Sequence, residues 1–508
     1  MLAKVLSAAL IGMNGYLVET EVDMSNGFPA FEIVGLPDNA VKESKERVRT
    51  ALKNSEMEMP AKRITVNLAP ANTKKEGPAF DLPIAVGILS CMKKAAARED
   101  MLVIGEMSLD GSIRPVDGIL PMLHHAFEQG IRRCIVPFEN AEEAALVKDM
   151  EVYPVMHLTQ AVAVLNGNSG IQPFTVDIDA LFKNNAGGEL LDFADVKGQE
   201  SVKRALEIAA AGMHNVLMIG PPGSGKTMMA KRMPSILPDL TFDESMEITK
   251  IYSVAGLLRN KNALITTRPF RSPHHTISNV AMVGGGRVPK PGEVSLAHNG
   301  ILFLDELPEF SRSVLEELRQ PLEDNEVTIS RVNGTMTYPA NLMLVASMNP
   351  CPCGYHGYSA KCTCREGEIA RYRGRISGPL LDRIDVHIEA AAVEFEKMGS
   401  TAPSESSADI KARVIKAHAI QQQRYRDENI YFNSALSARQ INKYCKLGAQ
   451  ETQLMKRAFE KMGLSGRAYH KVLKLARTIA DLDESADIKS CHIAEALQLR
   501  NLDRKLIL

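Results

Sequence analysis

The sequence predicts a multidomain α/β chain in three blocks: mixed strands and helices, then an α/β core of apolar strands, then a helical end. Three observations carry this expectation. A short apolar run, Val216–Ile219, leads into Gly220-x-x-x-x-Gly225-Lys226-Thr227 and then an amphipathic segment, Met228–Met233, which reads as strand, glycine-rich loop and helix. Two more apolar runs follow, one ending in Asp305-Glu306 and one, Leu342–Met348, ending at Asn349. From about residue 409 onward, apolar residues recur at helical spacing.

The glycine-rich loop has a physical purpose. Glycines let backbone N–H groups turn inward and cradle phosphate oxygens, and a helix N-terminus adds its positive dipole end. Gly220, Pro221, Pro222, Gly223, Ser224 and Gly225 would form that cradle. Lys226 would reach the β/γ-phosphates, and the Thr227 hydroxyl would be a ligand for Mg²⁺. ATP and Mg²⁺ are therefore the expected cofactors.

The run Ile301–Leu304 reads as a buried strand whose tip carries two acids. Beside a phosphate loop, Asp305 would hold the metal and Glu306 would polarise the attacking water. Asn349 at the tip of the third run is read in two ways: a turn residue before Pro350, or an amide that orients water and touches the γ-phosphate. The company of the other motifs favours the second.

Between these runs, Val327–Val332 and Thr335–Tyr338 flank Asn333-Gly334, the strongest short hairpin signal. It is either an ordinary hairpin or an inserted element facing a pore. Upstream, Arg268–Thr276 and Gly284–Lys290 form a second insertion rich in glycine, proline and basic residues. That stretch is either a plain connection or a loop facing nucleic acid, with Arg287, Lys290 and Arg331 as candidate strand contacts.

Composition bounds the rest. A chain of 508 residues holds about two to four domains. The net charge of −1 neither demands nor excludes a nucleic-acid partner, because a local basic surface suffices. No apolar run approaches the roughly 18 residues of a membrane span. Met1–Met13 is apolar but short and carries Lys4; the alternating Tyr16–Val22 after it reads as a strand, so the start is expected to be folded protein. Eight cysteines in a chain of this length do not make a disulfide scaffold. A cytoplasmic protein is expected.

The blocks divide as 1–165, a linker at 166–191, a core at 192–399 and a helical region at 400–508. In the first block, Asp38–Asn54 has helical spacing and Arg63–Leu68 reads as a strand. In the last, helices are expected at about 409–428, 437–445, 449–462, 465–482 and 488–500.

Cys351-x-Cys353 and Cys362-x-Cys364, eight residues apart, form a further constellation. Four thiolates on a short loop suit structural, tetrahedral Zn²⁺. Cys-x-Cys pairs are not the usual zinc spacing, and four free thiols remain the alternative; His356 would be able to replace one thiol.

Together these residues resemble the AAA+ ATPases, and within them the ComM/YifB family of the magnesium-chelatase-like group. The marks are the phosphate loop through Thr227, Arg271-Ser-Pro-His-His-Thr276, Gly300–Glu306, Asn349-Pro-Cys-Pro-Cys-Gly354 and Ser377-Gly-Pro-Leu-Leu-Asp-Arg-Ile-Asp385. The resemblance implies an AAA+ P-loop α/β domain with a C-terminal helical lid, and a homohexameric ring with ATP sites between subunits. It implies that Arg383 is an arginine finger, a group that contributes on the order of 10³–10⁵ in rate, and that Arg467 is the second-sensor arginine of the lid. A surface salt bridge, worth at most about 1 kcal/mol, is the alternative for each. The implied activity is motor action on single-stranded or branched DNA, as a branch-migration helicase in natural transformation, beside other recombination proteins. The alternative is a chelatase-like ATPase that remodels a protein or metal-insertion partner without DNA. A scaffold with a vestigial site is a third class, against which intact Lys226, Asp305, Glu306 and Arg383 argue.

The first block resembles the Lon-type protease fold through Lys75-Glu-Gly-Pro-Ala-Phe-Asp81 and Ile104-Gly-Glu-Met-Ser-Leu-Asp-Gly111. Lon-type proteases use a Ser-Lys dyad. The serine position here is Ala79 and the lysine position falls near Met122, so a proteolytically inactive domain is expected.

Overall fold

A computed structural model describes residues 1–184, 191–258, 263–286, 289–331, 334–391, 404–428 and 430–500. The chain forms two compact units. The first is Met1–Asn185 with Phe242–Thr266 and Val332–Thr337, and the second is the remainder.

The first unit is built on a mixed sheet. Its strands are β1 (Leu2–Ile11), β2 (Asn14–Ser25), β3 (Ala30–Val34), β4 (Arg63–Ala69), β5 (Met101–Val103), β6 (Arg133–Pro137) and β7 (Glu151–Val155), in the order β3-β4-β2-β1-β5-β6-β7. β1 and β2 pair antiparallel from Leu2 opposite Asp23 to Ile11 opposite Asn14. The turn between them is two residues long, and Gly12 takes its left-handed position at φ 62°. The apolar start of the chain is thus a central strand.

Helix α1 (Asn39–Asn54) starts where Asp38 Oδ1 accepts from Val41 N at 2.8 Å. Its inner face buries Val41, Ser44, Val48, Ala51 and Leu52. Arg47 reaches inward to helix α2 (Asp81–Cys91), where Asp81 accepts from Nε at 2.7 Å and from Nη2 at 2.9 Å. Asp81 is fully buried, so this two-pronged pair satisfies a charge that burial alone would penalise heavily.

Ala79 and Met122 lie in one apolar cluster with Leu102, Ile104 and Leu120, next to helix α3 (Ile119–Glu128). Phe242–Ala255 is also a helix of this unit. Gly118 N donates to Ser253 O at 3.0 Å, and Ser253 Oγ donates to Glu143. Glu143 also accepts from Leu120 N at 3.0 Å and from Asn140 Nδ2 at 3.3 Å. Burial holds its carboxyl above the usual range, against the lowering pull of these donors.

The second unit has a five-stranded parallel sheet. Its strands are β8 (Val216–Ile219), β9 (Phe270–Arg271), β10 (Ile301–Leu304), β13 (Met343–Met348) and β14 (Val386–Glu389), ordered β9-β10-β13-β8-β14. Between β10 and β13 in the chain, β11 (Glu326–Arg331) and β12 (Gly334–Pro339) form a separate two-stranded sheet, and residues 334–337 of β12 count with the first unit. The expected hairpin is there, but Val332 and Asn333 lie outside the described residues. Every residue of β8, β10 and β13 is buried, as parallel strands covered on both faces require.

The helical end consists of Ser407–Arg424, Ala438–Tyr444, Ala449–Met462, Gly466–Leu482 and Ser490–Gln498. Each falls within a few residues of its expected span. Val414, Val472 and Ile479 share one apolar core with Val216, Ile301 and Val345 of the sheet. A buried polar join supports it: Asp385 takes Lys471 Nζ at 2.8 Å and His214 Nδ1 at 3.2 Å.

The helix after the phosphate loop is shorter than expected. It covers Lys226–Ala230, and Met233–Ser235 is a 3₁₀ turn with Pro234 inside it. Proline disfavours helical geometry in the residue before it. With one turn of helix, the loop's own N–H groups and Lys226 matter more at this site than a macrodipole.

Candidate nucleotide site and cysteine cluster

The phosphate loop leaves the C-terminal tip of β8, an interior strand between β13 and β14. Ligands of open parallel sheets bind at this end. Gly223 and Gly225 have φ of 78° and 85°, in the left-handed region that glycine tolerates. A Cβ at Gly223 would meet nothing within 4 Å, whereas one at Gly220 would lie 2.1 Å from Ala390 O. The loop is therefore open at its crest and tight at its base, as a phosphate cradle has to be.

Lys226 Nζ donates to Gly220 O at 2.7 Å, Pro221 O at 2.9 Å and Asn349 Oδ1 at 3.3 Å. Burial lowers the Lys226 pKa, and Asp305 and Glu306 pull it back up. Thr227 Oγ1 donates to Asp305 Oδ2 at 2.7 Å. A hydroxyl and a carboxylate facing each other beside a glycine cradle are the hard oxygen donors that Mg²⁺ prefers. Lys226, Thr227, Asp305 and Asn349 thus converge, although they come from three strand tips.

Glu306 stands next to Asp305 with its backbone at φ 53°, a strained position for a residue with a side chain. Its N–H donates to Asp305 Oδ1 at 3.1 Å and to Ser347 Oγ at 3.4 Å. Ser347 also donates from Oγ to Asp305 Oδ1. Sequence reasoning missed Ser347; its only signal was a hydroxyl inside a wholly buried strand. Gln199 was missed too. It donates from Nε2 to Ser224 O at 3.2 Å and so braces the loop from outside.

Arg383 and Arg467 are not at this cradle's hydrogen bonds. Arg383 donates to Arg319 O at 3.2 Å and Pro379 O at 2.7 Å, and it pairs with Glu323. Arg467 stands 3.9 Å from the same carboxylate and is largely exposed. An open groove beside Arg383 is lined by Glu316, Arg319, Gln320 and Glu323. Of the candidate strand contacts, Lys290 is exposed, Arg331 ends β11 with its side chain outside the described residues, and Arg287 lies outside them altogether.

The four thiols do meet. Sγ–Sγ distances are 3.4 Å for Cys351–Cys353, 3.9 Å for Cys351–Cys362 and 3.7 Å for Cys353–Cys362, and all four sulfurs lie within 4.8 Å of one another. A tetrahedron with Zn–S bonds of about 2.3 Å has edges of about 3.8 Å. His356 is not in the cluster; only its backbone N–H reaches Cys351 Sγ, at 3.4 Å. Backbone N–H groups, first that of Tyr355 and then that of Thr363, lower the Cys353 pKa to about 6. The cluster abuts the phosphate loop: a Cβ at Gly354, φ 85°, would lie 2.5 Å from the Pro222 ring.

A parallel sheet carrying a phosphate loop on an interior strand and an Asp-Glu pair two strands away defines a P-loop ATPase of the AAA+ class. The chain matches the family described as "Magnesium chelatase, subunit ChlI" over residues 192–398, with further matches to its ChlI domain at 20–140 and its C-terminal region at 404–500. It is 45% identical over 510 residues to "Competence protein ComM" of Haemophilus influenzae, covering 99% of this chain and 98% of that protein. It is 42% identical to "Uncharacterized protein YifB" of Escherichia coli, covering 100% and 98%. The chain belongs to the ComM/YifB family of magnesium-chelatase-like AAA+ ATPases. Its N-terminal region is similar to Lon protease of Escherichia coli, 28% identical over 119 residues, or 22% of this chain and 15% of that protein. Among the described residues no helix is long and apolar enough to cross a membrane.

Proposed function

We propose that this chain is a ring-forming ATPase motor that acts on DNA, as a branch-migration helicase in competence and recombination. The observation that carries the reading is the convergence of Lys226, Thr227, Asp305 and Asn349 at one phosphate cradle, in a chain similar along its full length to a protein named for competence. When bound, Mg²⁺ supplies charge neutralisation to the triphosphate. Lys226 releases its carbonyl partners to hold β/γ-phosphate oxygens, and Thr227 and Asp305 hold the metal. Glu306 orients and polarises water, and Asn349 reports the γ-phosphate. Arg383 leaves Glu323 and enters the neighbouring subunit's site, with Arg467 acting from the lid. The ring is a homohexamer in the cytoplasm.

Within this reading the chain divides into a proteolytically inactive Lon-like domain (1–165), a linker (166–191), the ATPase core (192–399) and the lid (400–508). Cys351, Cys353, Cys362 and Cys364 hold a structural zinc that stiffens the wall of the phosphate loop through Gly354. A second reading, a chelatase-like remodeller of a protein partner, draws on the three matched segments of magnesium chelatase subunit ChlI. ATP hydrolysis measured without DNA and with single strands, duplex and a four-way junction, at two salt concentrations, separates the two. Salt-sensitive stimulation, largest with the junction, is expected. Hydrolysis indifferent to every DNA would refute the motor and favour the remodeller.

A further inference from the structure

We propose that the outer face of α1, with the cleft beside its C-terminal end, is a binding site for single-stranded nucleic acid within the first unit. It takes the identity of its polyanion from the DNA reading above; its location rests on separate observations.

The first observation is a stripe of charge. Lys42, Lys45, Arg49 and Lys53 are exposed on α1 while Arg47 is drawn inward by Asp81. At about 100° and 1.5 Å per residue, the four fall within an arc of about 80° and span about 16 Å of helix axis. That length covers roughly four or five phosphates of a stacked strand. The stripe runs into a cleft of about 270 Å³ lined by Arg49, Lys53, Lys62, Met59 and Glu58.

The second observation is that these cations are uncommitted. Among the described residues, Lys42, Lys45, Arg49, Lys53 and Lys62 have no ion pair or hydrogen-bonded acid. Some surface cations of the same unit are paired: Lys4 with Glu19 and Glu21, Arg63 with Glu32, Arg133 with Asp100 and Glu151. Lys93, Lys94, Arg114 and Lys148 are exposed and, among the described residues, unpaired like the stripe, but they lie in loops and a strand and not along one helix face. Glu43 is engaged with Arg47 at 3.8 Å, while Glu46 on α1, Glu56 just past its end and Glu58 in the cleft are the neighbouring acids, fewer than the five cations. The local excess is positive in a chain whose net charge is −1, so it is a matter of placement and not of composition.

The third observation selects the partner. Phe28 is 95% exposed and directly precedes Pro29, which lines the cleft. An aromatic ring left in water beside a cationic groove is the pairing that single strands use: phosphates track the cations and a base stacks on the ring. A duplex keeps its bases stacked internally and has no use for Phe28.

The test uses the full-length chain, a fluorescent oligo(dT) strand and a duplex of equal length, with binding read by anisotropy across a salt series. A triple variant, Arg49→Gln, Lys53→Gln and Lys62→Gln, is expected to weaken oligo(dT) binding at least about 10-fold near 0.1 M salt. It should also flatten the log–log salt slope by about 2, at roughly 0.7 per lost phosphate contact. Phe28→Ala is expected to weaken oligo(dT) about 5-fold or more and to leave the duplex alone. All four positions are exposed, so thermal unfolding and DNA-free ATP hydrolysis should match wild type. If wild type binds DNA and the triple variant binds it equally well, the inference is wrong while the motor reading stands. An unaffected strand with Phe28→Ala overturns the single-strand assignment. If poly-glutamate displaces the strand at equal charge concentration, the partner is an acidic polypeptide instead. Should wild type bind no DNA at all, inference and reading fall together.

Discussion

Thr227 Oγ1 donates to Asp305 Oδ2 at 2.7 Å, tying the phosphate loop to the tip of β10. Ser347 and the Glu306 N–H take the other carboxylate oxygen, so Asp305 is held from both sides. Asp305→Asn keeps the shape and removes the charge. Mg²⁺-dependent ATP hydrolysis should fall on the order of 10²-fold or more, by analogy with loss of one preorganised electrostatic contact. Ser347→Ala should cost about 10-fold or less, because it removes a positioning hydrogen bond only. Steady-state turnover over a Mg²⁺ series checks both; equal losses would mean that Ser347 does more than position.

Glu306 sits one residue beyond that clamp in a strained backbone position. Glu306→Gln retains size and loses the base. Turnover is expected to drop roughly 10²–10⁴-fold, with ATP affinity by equilibrium titration within about 3-fold of wild type. Retained turnover would take Glu306 out of its assigned role.

Arg383 is held by Glu323 and two carbonyls in the isolated chain. If it serves a neighbour, Arg383→Ala and Lys226→Ala are each inactive, by about 10³-fold or more for the arginine. Mixing the two variants should restore part of the activity, because some interfaces then combine an intact Lys226 with an intact Arg383. A mixture as inactive as its components would exclude the cross-subunit role.

The sulfur spacings predict one zinc ion per chain, measured by elemental analysis of protein purified without chelator. Cys351→Ser with Cys362→Ser should abolish it and lower Tm by roughly 5 °C or more, since a structural metal contributes directly to folding. Metal-free wild type with an unchanged Tm in the variant would leave four free thiols as the better description.

Glu143 makes a pH prediction whose sign follows from its raised pKa. In the unfolded chain it ionises near 4.3, about the ordinary glutamate value. The folded carboxyl keeps its proton to higher pH. Its contribution is therefore full below about pH 4.3 and is lost as pH rises through the folded value. Glu143→Gln is permanently neutral, so its Tm relative to wild type should improve as pH rises across that window. A constant difference across the window would contradict a raised carboxyl at this position.

Local chemistry was legible in the chain itself. The phosphate loop is contiguous, so Gly220 to Thr227 announce it without any tertiary contact. Helix starts carry their own caps: Ser437 with Gln440 forms a capping box, and Ser465 accepts from Ala468 N. The four cysteines were legible as a group, although their spacing alone left open whether the sulfurs meet.

What only the tertiary structure decided is which distant residues become neighbours. The strand order β9-β10-β13-β8-β14 sets Asn349 against Lys226 and Ser347 against Asp305. Packing assigns Phe242–Thr266 to the first unit although its sequence lies inside the ATPase block. It also brings Arg383 and Arg467 to the one carboxylate of Glu323. The physical reason is common to all three. Local backbone preferences and caps act over a few residues and are written where they act, whereas these contacts arise from burying apolar faces of elements far apart in the chain, and no short segment encodes its partner.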